Sequence, residues 1–357
     1  MRVSNEKKQA VKHDILEKIM QGDPELTRTV AETFAINRAT VYTYLNELQE
    51  QGIVRKVKRG NYELVPQTWQ YVLERKKGDL DADMYAYHQC LEEHIRDLEN
   101  NVIGIWSYVF SEMVNNVVDH SEAQYAYVFV ERNYLKTRVL LYDDGVGIFR
   151  KIQDYFHLPS LEEAICELFK GKLTTDAENH SGEGIFFSSK LMDTFFIVSD
   201  GKIFTNNKYD ESRIMAIAED GADIVREKNA YDGLSGGSRA FLKGTCVIME
   251  LANSSRKNAK DVFDLYADED GGFVKTRIPL KNIFDASPVS RSQAKRICNR
   301  LELFREAVLD FEGIQWMGQG FAHQLFVVFA NQHPEMKLIP LHMNEDVAKM
   351  YHHVNRT

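Results

Sequence analysis

The chain has 357 residues, 44% apolar and 27% charged, which fits two or three folded domains and excludes a disordered or fibrous protein. No apolar run reaches the length of a membrane span, the first residues lack the apolar core of a secretion signal, and the four cysteines (Cys90, Cys166, Cys246, Cys298) form no CxxC pair, so a cytoplasmic protein without disulfides or zinc is expected. The net charge of −9 is uneven: residues 1–77 hold 14 Lys/Arg against 10 Asp/Glu, the remainder 30 against 43, so only the head is suited to a polyanion.

In the head, Val11, Ile15 and Ile19 share one helical face, and Gly22-Asp23-Pro24 ends that helix. "ELTRTVAETFA" reads as a second short helix. "INRATVYTYLNELQEQG" reads as a third, with Asn37 as N-cap, Val41, Leu45 and Leu48 turned inward, and Gly52 as its end. "IVRKVKRGNYELV" then alternates and turns at Arg59-Gly60-Asn61, a hairpin with a basic tip. Three helices and a basic hairpin over residues 1–66 resemble a winged helix-turn-helix domain. The resemblance implies DNA binding, with Arg38, Thr40, Tyr42 and Thr43 facing the major groove and Lys56, Lys58 and Arg59 on phosphates. It also implies a homodimer, since such domains read paired half-sites. The alternative is a winged helix used for protein contacts.

Residues 67–100 read as a helical connector. In "WSYVFSEMVNNVVDHSEA", Val109, Met113 and Val117 form an apolar stripe, while Glu112, Asn116 and His120 recur every four residues on another face. A buried strand, Val139 to Tyr142, leads into Asp143-Asp144-Gly145-Val146-Gly147, a turn where backbone passes close to something. "HSGEGIFFSSK" sets Gly182 and Gly184 before a helix. "FLKGTCVIMEL" gives a turn and a late strand with Thr245 at its mouth. Each motif alone is weak.

Taken in this order, the four motifs resemble the GHKL superfamily, which includes gyrase and the histidine kinases. The likeness covers roughly residues 80–255 and implies a Bergerat-fold α/β sandwich, placed at 101–265. Carried over, it implies ATP and Mg2+ as ligands. Asn116 would offer an oxygen to the metal. Glu112 would orient or deprotonate the attacking water or hydroxyl. Asp143 would accept the adenine amine, with Thr245 beside it and Gly145 and Gly147 beneath the base. Gly182 and Gly184 would bring main-chain amides to the phosphates. Residues 150–181 would form a lid, with Lys172 as a further nucleotide contact. The same likeness leaves a second activity open, a serine/threonine protein kinase of the anti-sigma-factor type acting on a partner protein.

Residues 270–357 alternate strand and helix and resemble a STAS-like domain, a surface for a protein partner. Gly320 stands where related proteins place a phosphorylated serine, and no phosphoacceptor histidine box is present. Ser290 reads as an N-cap. The whole is expected to be a multidomain α/β protein, an ATP-binding and DNA-binding transcriptional regulator.

Overall fold

The spacing of apolar residues builds the N-terminal unit. Val11, Ile15, Leu16 and Ile19 are buried along one face of α1 (Asn5–Gln21), packed with Leu26 and Val30 of α2 (Leu26–Phe34) and Val41, Leu45 and Leu48 of α3 (Arg38–Glu50). The Asn37 side chain accepts the Thr40 N–H at 2.7 Å, the expected N-cap. Strands β1 (Val54–Lys58) and β2 (Asn61–Leu64) pair antiparallel. This is a computed structural model, and it describes residues 5–58, 60–173, 182–207, 214–215, 217–218, 244–284 and 286–356. Arg59 lies outside them, as does most of the polar stretch expected in the lid.

Residues 67–74 correct the expected helical connector. They form β3 (Gln67–Glu74), an edge strand antiparallel to β4 (Tyr125–Arg132), with Trp69 opposite Val130 and Leu73 opposite Ala126. Trp69, Tyr71 and Leu73 alternate with Gln70 and Val72. That period-two, ring-rich pattern suits a strand able to satisfy the open edge of β4. A short 3-10 turn (Arg75–Lys77) follows, and α-helix begins in α4, a run through Asp83–Tyr87, His88–Glu92 and Glu93–Ile95.

The main sheet is antiparallel throughout, in the order β3-β4-β5-β8-β6-β7, with β5 (Lys136–Asp143), β6 (Thr194–Ser199), β7 (Lys202–Thr205) and β8 (Thr245–Ala252). The long helix α5 (Asn100–His120) lies on one face. There Trp106, Val109, Phe110 and Met113 join Val139, Leu141, Val247 and Met249 in one core. The alternate residues Leu140, Tyr142, Cys246 and Ile248 pack on the opposite face with Ile214 and Ala218. Helices α6 (Ile148–Tyr155), α7 (Leu161–Lys170), α8 (Gly184–Leu191) and α9 (Ala259–Tyr266) complete the central unit.

A second, parallel sheet of order β11-β10-β9 forms the C-terminal unit: β9 (Lys275–Pro279), β10 (Glu306–Asp310) and β11 (Lys337–Leu341). Its helices are α10 (Arg291–Cys298), α11 (a run over 319–332) and α12 (Glu345–Val354). Ser290 and Gln293 form the reciprocal capping box that starts α10. The protein is thus mixed α/β with several sheets. Apolar side chains from the central unit enter the cores of both neighbouring units. Leu135, at the β4–β5 turn, is buried in the core of the N-terminal unit. Phe186 and Phe187 of α8 and Cys166 of α7 belong to the core of the C-terminal unit.

The end of α5 is held by Arg75, which directly follows β3. Its Nε donates to the Ala123 carbonyl at 2.7 Å, and its Nη2 to the carbonyls of Val117 and Val118 at 3.2 and 3.1 Å. A guanidinium suits the last carbonyls of a helix, here Val117 and Val118, and its third bond fixes the chain just beyond at Ala123. Arg75→Met is expected to cost about 1.5–3 kcal/mol, the range for hydrogen bonds from a charged group. Urea denaturation measures this, and unchanged stability would show that the carbonyls do not depend on Arg75.

Candidate functional site

Four segments distant in sequence meet in one cavity of about 270 Å³. Helix α5 supplies Glu112, Asn116 and His120, one residue per turn. The Asn116 amide nitrogen donates to the Glu112 carbonyl at 2.8 Å, which leaves Oδ1 as the side chain's acceptor atom. Antiparallel register sets Asp143, the last residue of β5, opposite Thr245, the first of β8. The Thr245 hydroxyl accepts the N–H of Ile148 at 3.0 Å and so starts α6 beside the cavity. Gly182 and Gly184 come in ahead of α8.

Glu112, Asn116, Asp143, Gly147, Gly182, Gly184 and Thr245 all line this cavity. Gly145 sits behind it, its N–H donating to Asp143 Oδ1 at 2.9 Å. Lys172 is turned away. Its ammonium donates to the Leu303 carbonyl at 2.9 Å and lies over the Phe304 and Phe273 rings at 4.9 and 5.7 Å. A carbonyl and two ring faces hold the cation in the C-terminal unit, and burial lowers its pKa. The expected nucleotide contact is therefore not made by Lys172 in this arrangement.

Close approach requires glycine at several positions here, most tightly at Gly184 and Gly244. A methyl group on Gly184 would overlap Oε2 of Glu112, so the carboxylate lies directly against the start of α8. Gly244 has φ +103, and a Cβ there would overlap the Asp143 carbonyl oxygen. Reading by motif stopped at Thr245 and did not assign a site role to this neighbour. It also passed over Ser121, whose carbonyl accepts the Val146 N–H at 2.8 Å, and Ser199, whose hydroxyl donates to the Gly244 carbonyl at 2.8 Å. Lys151 was missed as well. Among the described residues it is the lysine on the cavity wall, paired with Glu122 at 2.8 Å. Its place one turn after Gly147 was the available signal.

Asp144 is structural. Its Oδ1 accepts the N–H groups of Gln124 and Tyr125 at 2.9 and 3.0 Å, which anchors the turn to the start of β4. Asp143, by contrast, is 4% exposed, and burial pushes its pKa from 3.8 up to about 7, against the opposing hydrogen bonds from Gly145 and Thr245.

In the N-terminal unit, Arg38, Tyr42 and Thr43 are exposed on α3, and Lys56 and Lys58 are exposed on β1. Thr40 is half-buried, with both its N–H and its hydroxyl donating to Asn37 Oδ1. That cap holds Thr40 in the helix start instead of leaving it free on the open face.

Residues 293–348 match a family model described as a STAS-like domain of unknown function (DUF4325). The chain carries a C-terminal STAS-like domain. No curated protein matches the chain. No helix among the described residues is long and apolar enough to cross a membrane. Within the STAS-like domain, the position of interest at the start of α11 is Gly320, close against the Val289 carbonyl (3.3 Å from a Cβ built there), and its neighbours Gln319 and Phe321 carry no hydroxyl either.

A carboxyl whose pKa is higher folded than unfolded keeps its proton longer in the folded state. Burying Asp143 therefore costs little below about pH 4, increasingly more as pH rises to about 7, and its full amount above that. Asp143→Asn should be more stable than the parent at pH 8, with the difference vanishing toward pH 4. Parallel stability–pH curves for the two proteins would contradict this.

Proposed function

We propose that the chain is an ATP-binding, ATP-hydrolysing regulator of the GHKL kind, with a Bergerat-type central unit and an N-terminal winged helix that contacts DNA. One observation carries it: Glu112, Asn116, Asp143, Gly147, Gly182, Gly184 and Thr245, drawn from four separate motifs, line the same cavity.

The residues present fit adenine nucleotide and Mg2+. Asp143 is a buried carboxylate that accepts from Gly145 and Thr245, and its two oxygens, with about four lone-pair sites between them, retain acceptor capacity for an exocyclic amine. Asn116 turns an amide oxygen, a hard donor suited to Mg2+, away from its own helix. Gly184 opens α8 on the cavity wall with no side chain of its own, beside the Glu112 carboxylate, and a helix start favours an anion. When bound, Mg2+ would neutralise phosphate charge and leave the protein to position the reactants. Glu112, across from Gly184, would hold and accept the proton of the attacking water. Asp143 would select an amino-bearing purine by accepting its hydrogen bond as a carboxylate.

Glu112→Ala is expected to keep nucleotide binding and lose at least about 100-fold in turnover, the usual contribution of a positioned base. Calorimetry and release of free phosphate from labelled ATP measure the two separately. Lost binding in a folded variant would remove Glu112 from the catalytic role, and label on protein in place of free phosphate would replace hydrolysis with transfer to a side chain. Asp143→Asn is expected to weaken nucleotide binding by about 1.5–3 kcal/mol, for a charge-assisted hydrogen bond, while it stabilises the fold at high pH. Opposite signs in stability and binding mark a group kept for its ligand.

For the N-terminal unit, exposed Arg38, Tyr42 and Thr43 on one helix and Lys56 and Lys58 on the adjoining hairpin support a duplex partner. Binding to random-sequence duplex should fall steeply with salt. Replacing Lys56 and Lys58 by Gln should reduce the log–log salt slope by about 2, at roughly 0.9 for each phosphate contact. A salt slope equal to the parent's would take the hairpin off the DNA.

A further inference from the structure

Lys170 is 1% exposed, an uncommon place for a lysine, at the C-terminal end of α7. Its ammonium donates to Glu167 at 2.6 Å, to the Arg296 carbonyl at 3.0 Å and to the Asn299 carbonyl. Three donors thus meet three acceptors. Glu167, 3% exposed, also accepts the Asn299 side-chain amide at 2.9 Å and has Arg300 within 3.6 Å. The buried pair belongs to α7. Everything that completes it comes from the end of α10, inside the STAS-like domain.

The chain leaves this knot directly into the cavity wall, which includes Gly171 and Leu173. Between them, the Lys172 carbonyl accepts from Arg300 at 3.0 Å and the Lys172 ammonium donates to Leu303. The Lys170 carbonyl accepts the Thr276 hydroxyl at 2.7 Å. On the far side of the same loop, Phe186 follows cavity-lining Gly184 and Ile185 and packs on Phe273, with ring centroids 4.8 Å apart. Both ends of the segment between α7 and α8 therefore rest on the C-terminal unit.

A buried ion pair is a poor way to gain stability, since apolar residues of similar volume often do as well or better. Its distinguishing property is directional. An ammonium with three fixed acceptors sets the end of α10 against the end of α7 in one arrangement only. We infer that Lys170 is a positioning residue for the nucleotide cavity, and that the STAS-like domain, through it, holds the cavity wall in its binding shape. This rests on the ATP reading given above. A partner that pulls the STAS-like domain off α7 would lower nucleotide affinity, and nucleotide would oppose that partner by the same factor.

The test uses the full chain with Glu167→Gln/Lys170→Met, which removes both charges at nearly constant volume and leaves neither alone in the core. Separately, Asn299→Ala cuts the network from the STAS-like side. Three quantities are measured: melting temperature, affinity for MgATP, and hydrogen exchange of residues 165–173 without nucleotide. Both variants should remain folded, bind MgATP about 5- to 100-fold more weakly, the usual span of coupling between sites, and exchange faster at 171–173. Combining them should add little, because both break one network. Folded variants with parental affinity and parental exchange would overturn the inference. If the parent takes up no MgATP, the ATP reading fails instead, and the exchange measurement alone decides: acceleration at 171–173 supports the positioning role, and none refutes it.

Discussion

The site depends on a carboxylate kept out of water. Asp143 ends a strand buried on both faces, opposite Thr245 and over a backbone crossing so tight that Gly244 cannot carry a side chain. Burial there is unfavourable to the charge, as the upward shift to about 7 records. The hydrogen bonds from Gly145 and Thr245 oppose that cost but do not cancel it. The residue makes sense if a donor from outside the protein completes it, and the rest of the cavity offers partners to the remainder of such a ligand: the Asn116 amide oxygen, and the start of α8 at Gly184 with the Glu112 carboxylate against it.

The site is also tied to its surroundings on two sides. Leu135, at the far end of the β4–β5 hairpin, is part of the core of the N-terminal unit, so the strand that ends in Asp143 begins against the basic head. On the other side, α7 and α8 share a core with the STAS-like domain. The elements that wall the cavity therefore share packed cores with both ends of the chain.

Legibility in the sequence followed the range of the interactions. Helical spacing in α1, α3 and α5, the Asn37 and Ser290 caps and the four motifs were all readable because each is local. Strand β3 was not read, because Trp69, Tyr71 and Leu73 gain their structure from β4, more than 50 residues on, and the charged Lys76-Lys77-Gly78-Asp79 stretch reads as a break within a helical connector. Arg75 in fact caps α5. Lys172 was misplaced for a related reason: its partners Leu303 and Phe304 lie about 130 residues away, in another unit. The same distance hid Lys170, which in sequence is an ordinary end-of-helix lysine and in the fold is the meeting point of two units. Gly184 lines the cavity, yet the group it makes room for, Glu112, is visible only once α5 and α8 are packed.

The central claim concerns the protonation of Asp143 when nucleotide enters. Calorimetry of MgATP binding at pH 6.5, in two buffers of different ionisation enthalpy, reports protons released on binding. Donation from an adenine amine favours the ionised carboxylate, so the parent should release a fraction of a proton that Asp143→Asn does not. Absence of binding heat, or identical proton release by parent and variant, would contradict the account.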